Sequence, residues 1–174
     1  MKTMLVLSMG ALLLAGTLSA QTPVPEWQAG GDKVKNLIQS NPAQASEEAG
    51  ELLKGKNKKN VDLVTSVAHV YLDAGKITEA QEYLAMAKKA NNKDPKVSVL
   101  EGDIALAQKN IGQACQLYEQ AIYFDPNCKE AYLKYAQAYK SASPTQAIEK
   151  LEQLKAVDPN CLEADRELAE VYYS

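Results

Sequence analysis

Residue types that carry much of protein chemistry are scarce in this sequence of 174 residues. It has one histidine and three cysteines, and it contains no glycine-rich phosphate loop and no Ser/His/Asp order. Cys115, Cys128 and Cys161 are 13 and 33 positions apart, with His69 far from all three, which is unlike a metal site. We therefore predict no enzyme activity, no cofactor and no metal, and we interpret the cysteines as small packing residues.

An excess of positive charge is also missing. The formal net charge is −3, which argues against binding to a nucleic-acid backbone. Phenylalanine occurs once but tyrosine nine times, and tyrosine suits half-buried helix faces, where its ring packs and its hydroxyl stays in water. With 46% apolar and 24% charged residues, the composition indicates a folded chain.

One apolar run stands at the beginning of the sequence. Lys2 precedes it, residues 4–16 form it, and the stretch 17–20 that follows ends in a small residue, Ala20. The run is short for a membrane span and is typical of a secretory signal peptide. We expect residues 1–20 to be a signal peptide, residues 21–31 to be an N-terminal tail, and the mature protein to be exported to the bacterial periplasm without a membrane span.

A short motif recurs at a fixed interval. Asp125-Pro126-Asn127-Cys128 returns as Asp158-Pro159-Asn160-Cys161, 33 residues later. A period of this length, with helical apolar spacing between the copies, indicates an array of helical repeats. Such arrays stack repeating units to form extended binding surfaces.

Helix signals divide the chain into pairs. Residues 32–60 are expected to form a degenerate capping hairpin and a basic loop, with Asp32 capping a helix to Ser40 and a second helix over 43–54. The basic loop, residues 55–60, is interpreted as a solvated connector. The regular helices that follow are predicted over 61–75, from Thr78, and over 96–109, 111–124, 130–140, 145–157 and 162–173.

The regular pairs resemble the tetratricopeptide repeat (TPR), a 34-residue helix–turn–helix unit. The resemblance rests on small and large residues recurring in register, with a proline at the unit's end. Glu101 and Ala105 depart from the pattern, and we expect Leu100 and Ile104 to take over their packing. The matching residues are Ala68, Tyr71, Ala80, Leu84 and Ala87, then Gly102, Ala114, Tyr118, Ala121 and Pro126, then Ala136, Tyr139, Ala147, Leu151 and Pro159.

The resemblance implies an all-α fold, a right-handed superhelical stack of antiparallel helix hairpins. Residues 61–174 would hold about three full repeats and the first helix of a fourth. It also implies a protein or peptide partner, bound by the first helix of each pair along the concave side. The implied groove residues are Asp62, Thr65, His69, Asp73, Lys96, Val99, Asp103, Leu106, Glu130, Leu133, Gln137, Lys140, Arg166 and Glu170.

The chemistry of these positions limits the partner. Some family members clamp a peptide's terminal carboxylate with Lys and Asn side chains. In this sequence the matching positions do not supply such a cluster of positive donors, because they hold Thr65, Val99, Leu133, His69, Asp103 and Gln137. The groove leans acidic, with an apolar seam of Val99, Leu106 and Leu133, which suits a basic or amphipathic segment. The alternative, that these are ordinary solvated helix faces, stays open.

A second hypothesis concerns the C-terminal end. Leu168, Val171 and Tyr172 are expected to form a face that a further helix would cover, so the chain could be a fragment of a longer array. That face could also give weak self-association. The alternative function is therefore a structural subunit of an envelope-assembly complex, docked through its C-terminal end.

Overall fold

The structure is a computed structural model that describes residues 26–173, with side chains from residue 31 onward, and those residues form a stack of α-helices. A short 3-10 helix, Gly55–Lys59, follows the second α-helix. The predicted signal peptide and the start of the predicted tail lie outside the described residues. The α-helices are α1 (Glu26–Ile38), α2 (Pro42–Leu52), α3 (Val61–Asp73), α4 (Ile77–Asn91), α5 (Pro95–Ala107), α6 (Ile111–Phe124), α7 (Lys129–Tyr139), α8 (Pro144–Val157) and α9 (Leu162–Tyr172).

The helices form two layers. Consecutive helices contact each other as the hairpins α1–α2, α3–α4, α5–α6 and α7–α8. The first helices also contact one another in order, α1 with α3, α3 with α5, α5 with α7, and α7 with α9. One layer, which we call the first-helix face, therefore consists of α1, α3, α5, α7 and α9, and the second layer consists of α2, α4, α6 and α8. This arrangement confirms the predicted all-α stack of hairpins.

The repeated sequence motif forms the same turn twice. The Asp125 carboxylate accepts a hydrogen bond from the Asn127 backbone N–H at 2.9 Å, and Asp158 accepts one from the Asn160 N–H at 3.2 Å. In both copies the backbone N–H of the cysteine donates to the aspartate carbonyl, at 3.0 and 3.1 Å. Because an aspartate side chain stabilises a turn of its own backbone, the motif ends one hairpin and starts the next helix at each copy.

Small residues lie where helices meet, as the repeat pattern predicts. Ala68, Ala121, Ala136 and Ala147 are buried. A Cβ atom built on Gly102 would come within 2.5 Å of the Tyr118 ring, which is itself buried. Close approach of helices requires such positions to stay small, because interiors are packed to the density of organic crystals.

The departures of α5 from the repeat pattern are compensated nearby. Leu100 and Ile104 are both buried in the core that they share with α3 and α4. Ala105 is buried in a second cluster with Ala114 and Tyr118. The expectation that Leu100 and Ile104 take over the packing is therefore confirmed.

The start of the first helix differs from the prediction. Helix α1 begins at Glu26, so Asp32 lies inside the helix and is not its N-cap. The prolines of the tail suggested that no helix forms before residue 32, but Pro23 and Pro25 both precede Glu26 in the sequence, and a proline disrupts a helix only from within its interior. Most other predicted helix ends agree with the structure within about two residues, the usual uncertainty of such boundaries.

Helix α9 is better covered than predicted. Val171 is buried and Leu168 half-buried in a cluster that includes Ala147, Leu151 and Leu154. Of the predicted uncovered face, only Tyr172 is exposed, because α7 and α8 both contact α9. No helix in the described part of the chain is both long enough and apolar enough to cross a bilayer.

Candidate binding surface

The first-helix face carries a cleft at its N-terminal end. The cleft has a volume of about 300 Å3 and is lined by residues of α1, α3, α5 and α7. Its floor includes Thr65 and Val99, which are both buried. Seven of the predicted groove residues line it together: Asp62, Thr65, His69, Asp73, Lys96, Val99 and Glu130.

Helix α1 completes this cleft, a role that was not predicted from the sequence. Gly31, Asp32 and Lys35 line it from α1, and Ser66 and Val70 line it from α3. The first hairpin was interpreted as a cap, so its residues were not considered. The contact of α1 with α3 is equivalent to that of α3 with α5, and the regular stacking of repeats could have suggested this role.

Acidic side chains outnumber basic ones around the cleft. Asp32, Asp62, Asp73 and Glu130 line it, against Lys35, Lys96 and His69. The Lys96 ammonium is paired with the Asp62 carboxylate, one repeat earlier, and this hydrogen bond raises the pKa of Lys96 above its ordinary value. Within the described residues Asp32, Asp73 and Lys35 make no ion pair, so two unpaired carboxylates stand against one unpaired ammonium. We call this feature the acidic cleft.

A buried carboxylate lies behind the cleft. Asp103 on α5 accepts hydrogen bonds from the Tyr118 hydroxyl at 2.7 Å and the Lys134 ammonium at 2.8 Å. His69 Nε2 lies 3.0 Å from the same carboxylate, and its Nδ1 lies 2.9 Å from the Thr65 carbonyl oxygen. Burial opposes ionisation of Asp103, but these partners together outweigh it and hold its pKa below the ordinary value. Asp103 is thus a structural charge, and not a free groove residue.

The C-terminal half of the first-helix face is paired with itself. Gln137 on α7 donates to Glu167 on α9 at 2.9 Å, and Lys140 forms ion pairs with Glu170 and Glu167. Arg166 lies 3.8 Å from Glu167. Lys129 and Glu163 pair at 2.9 Å across a separation of 34 residues. The predicted groove residues Gln137, Lys140 and Arg166 therefore all contact Glu167, and Lys140 also pairs with Glu170. These contacts make the four side chains less available to a ligand.

The predicted apolar seam does not form a continuous surface. Val99 is 1% exposed, Leu133 is half-buried and Leu106 is 36% exposed. Val99 packs in the cluster of α6 and α7, whereas Leu133 packs against the cluster of α8 and α9. The seam was inferred from residue type alone, and residue type does not indicate how far each side chain is covered by the next helix.

The cysteines are placed as packing residues. All three are free thiols, with Cys115 and Cys161 buried and Cys128 half-buried. Burial raises the pKa of Cys115 to about 11, so this thiol is a poor nucleophile. Among the described residues, no group of three His, Cys, Asp or Glu side chains is placed to hold a metal ion.

Comparison with known proteins places this geometry in one fold. No family model matches the sequence, and no curated protein matches it. Solved structures do match: MamA is 21% identical, covers 82% of each chain and has a TM-score of 0.60. A thermophilic TPR protein in Thermus thermophilus is 13% identical, with 85% of this chain and 91% of that chain covered and a TM-score of 0.66.

This chain has the tetratricopeptide repeat fold. A third solved TPR structure, the first TPR of Spaghetti (RPAP3) bound to an HSP90 peptide, is 18% identical, with 67% of this chain and 95% of that chain covered and a TM-score of 0.57. The TPR resemblance seen in the sequence is confirmed at the level of the fold. In this TPR array the acidic cleft lies on the layer built from the first helices.

Proposed function

We propose that this TPR protein is a non-catalytic scaffold that binds a basic or amphipathic segment of a partner protein in the acidic cleft. The observation that carries the proposal is the contrast along the first-helix face. Its C-terminal half is filled by internal ion pairs, whereas the N-terminal half has a cleft in which Asp32 and Asp73 have no ion pair within the described residues. A cationic side chain would supply the charge that these carboxylates lack.

The charge of the cleft also argues against capture of a peptide's terminal carboxylate. Thr65 and Val99, at two of the positions that would have to donate, are buried. Asp103, at a third, is a carboxylate already bound by three partners. The RPAP3 structure with its HSP90 peptide supports peptide binding by this fold. The residues of the acidic cleft, however, favour a positively charged segment over a terminal carboxylate.

We propose that this scaffold acts in the bacterial cell envelope. The support is the sequence of residues 1–20, with one lysine, an apolar run and a small residue at position 20, which is the pattern of a signal peptide. The periplasm is therefore the proposed location, and the partner is an envelope protein.

A second candidate function is docking through the C-terminal end. Tyr172, the last residue of α9, is 64% exposed, and Tyr173, which follows it, is 92% exposed. Exposed aromatic side chains of this kind are common anchors at protein interfaces. Docking through these residues would suit a structural subunit of an envelope complex, or weak self-association. It would not use the acidic cleft.

Site-specific photo-crosslinking in the source cell separates these functions. A crosslinking amino acid at Lys35, an exposed residue of the acidic cleft, should capture a partner, whereas one at Gln116, exposed in the second layer, should not. Mass spectrometry of the recovered protein should show a chain that begins near Gln21. Capture from position 172 with none from position 35 would favour docking through the end, and an intact Met1 would contradict export.

A further inference from the structure

A second cleft lies on the other layer of the array. It has a volume of about 420 Å3 and is formed by α2, the 3-10 helix and α4. None of the first helices contributes to it, so it lies away from the acidic cleft and is independent of the proposed function. Leu53, Tyr83 and Met86 form its apolar part, and Lys54 and Lys58 also line it.

The backbone that carries the lysines of this cleft is ordered. Asn57 donates a hydrogen bond to the Leu52 carbonyl at 2.9 Å, and Asn60 caps α3 by accepting from the Leu63 N–H at 3.2 Å. Residues Gly55–Lys59 form the 3-10 helix. The connector is exposed, as interpreted from the sequence, and its backbone is a defined turn from which the lysines project.

Most of these lysines are unpaired. Lys54 forms an ion pair with Glu51, but Lys56, Lys58 and Lys59 make none within the described residues. All three are exposed. Glu82 lines the cleft from α4, so the positive side of the cleft is the side formed by the 3-10 helix.

The aromatic wall of this cleft is supported by the core. The Tyr83 ring lies 5.2 Å, between centroids, from the ring of Tyr71. Tyr71 is buried, and Tyr83 packs against the same core cluster, so the ring that a ligand would contact is held in position.

We propose that this second cleft, the basic cleft, binds an acidic peptide segment that carries an apolar anchor residue. The carboxylates of the segment would pair with Lys58 and its neighbours, while the anchor would cover Tyr83 and Met86, which are half-buried. Leu53 is only 2% exposed and lies beneath them in the core. No apolar side chain of the cleft is fully exposed, whereas membrane binding uses apolar side chains that protrude into the lipid. The array would thus hold two segments of opposite charge, one on each layer.

Gly50 permits a direct test because it lines the basic cleft and a Cβ atom there would meet nothing within 4 Å. Gly50→Leu should fill the cleft without disturbing the core and should favour helix α2. Gly112, at the start of α6, is equally open, so Gly112→Leu is the matched control. For charge, Lys58→Glu is matched by Lys93→Glu, an exposed lysine in the turn between α4 and α5.

The experiment is a fluorescence anisotropy titration of the full chain with the labelled peptide EELFEE at low salt. We expect saturable binding of the peptide by the parent chain. Gly50→Leu should lower the affinity about ten-fold because the leucine occupies the space of the anchor residue. Lys58→Glu should also lower it about ten-fold because the new carboxylate repels those of the peptide. Gly112→Leu and Lys93→Glu should bind within about two-fold of the parent. The peptide EESSEE, without the anchor, should bind more weakly than EELFEE.

Three results would overturn the proposal. The first is no saturable binding of EELFEE by the parent chain. The second is equal weakening by Lys93→Glu and Lys58→Glu, which would indicate attraction to charge without a site. The third is that the parent chain binds anionic phosphatidylglycerol vesicles, that Lys58→Glu abolishes this binding, and that Gly50→Leu changes neither vesicle binding nor EELFEE binding. That result would indicate that the lysines bind a membrane surface and that the cleft is not used.

Discussion

At the scale of single residues, the fold depends on small side chains facing large ones. Gly102 is the clearest case, since the Tyr118 ring occupies the space that a Cβ atom would need. Tyr118 cannot easily move, because it is fully buried and its hydroxyl is bound to Asp103 at 2.7 Å. The repeat pattern predicted both the small residue and the tyrosine, because the pairing is local and recurs in each unit.

Replacing Gly102 by alanine should therefore destabilise the protein. Alanine favours a helix over glycine by about 1 kcal/mol, but overpacking against a fixed ring costs about 1–3 kcal/mol, so we expect a net loss. Gly112→Ala, where nothing lies within 4 Å of the added Cβ, should keep or raise stability. Urea denaturation midpoints measure both, and a Gly102→Ala midpoint as high as that of Gly112→Ala would show that the helices can separate freely.

Other residues could not be assigned from the sequence. Asp103 was predicted as an exposed groove residue, because its position in the repeat faces the first-helix side. Its burial depends on Tyr118 and Lys134, which belong to other helices. Neither Lys134 nor Glu167 was predicted, although each is half or fully buried in an ion pair of this face. Contacts between different repeats are not contained in the pattern of any one repeat.

At the scale of elements, charge pairs join successive first helices. Lys96 on α5 pairs with Asp62 on α3, and Lys140 on α7 pairs with Glu170 on α9. Asp103 joins more elements than any of these pairs, since its partners come from α3, α6 and α7. An amide in its place would keep one acceptor oxygen but replace the other with an NH2 donor. At least one of Tyr118, His69 and Lys134 would then lose its acceptor, which is costly in a buried setting.

We expect Asp103→Asn to cost about 3 kcal/mol at neutral pH. Because the folded-state pKa of Asp103 is lowered, its contribution is present above the unfolded-state pKa of about 3.9 and is lost as pH falls through the folded-state value. The stability gap between the parent chain and Asp103→Asn should therefore close on acidification below about pH 3.9. Denaturation at a series of pH values measures it.

A matched control for this prediction is Asp62→Asn. Asp62 also pairs with a lysine, but its side chain is 44% exposed, and exposed ion pairs contribute about 0–1 kcal/mol. Equal losses from Asp103→Asn and Asp62→Asn would contradict the structural role of Asp103. A gap that persists unchanged at low pH would show that the charge is not its source.

At the scale of the whole molecule, the array is regular in fold and uneven in surface. The stacking of first helices could be predicted from the period of the sequence, because each hairpin buries its apolar side against the next. The division of the face into an open N-terminal cleft and a self-paired C-terminal half could not. It depends on which lysines reach which carboxylates, and on the participation of α1, which was not predicted to line the groove.

The central claim is that a basic segment binds in the acidic cleft, and NMR spectroscopy tests it most directly. Titration of the isotope-labelled chain with the peptide KKLFKK should shift amide signals on the cleft-lining parts of α1, α3 and α5, around Asp32, Asp62 and Asp73. Asp73→Lys should weaken binding about ten-fold, whereas Glu152→Lys, exposed on α8, should not. Shifts confined to α9, or none at saturating peptide, would contradict the account.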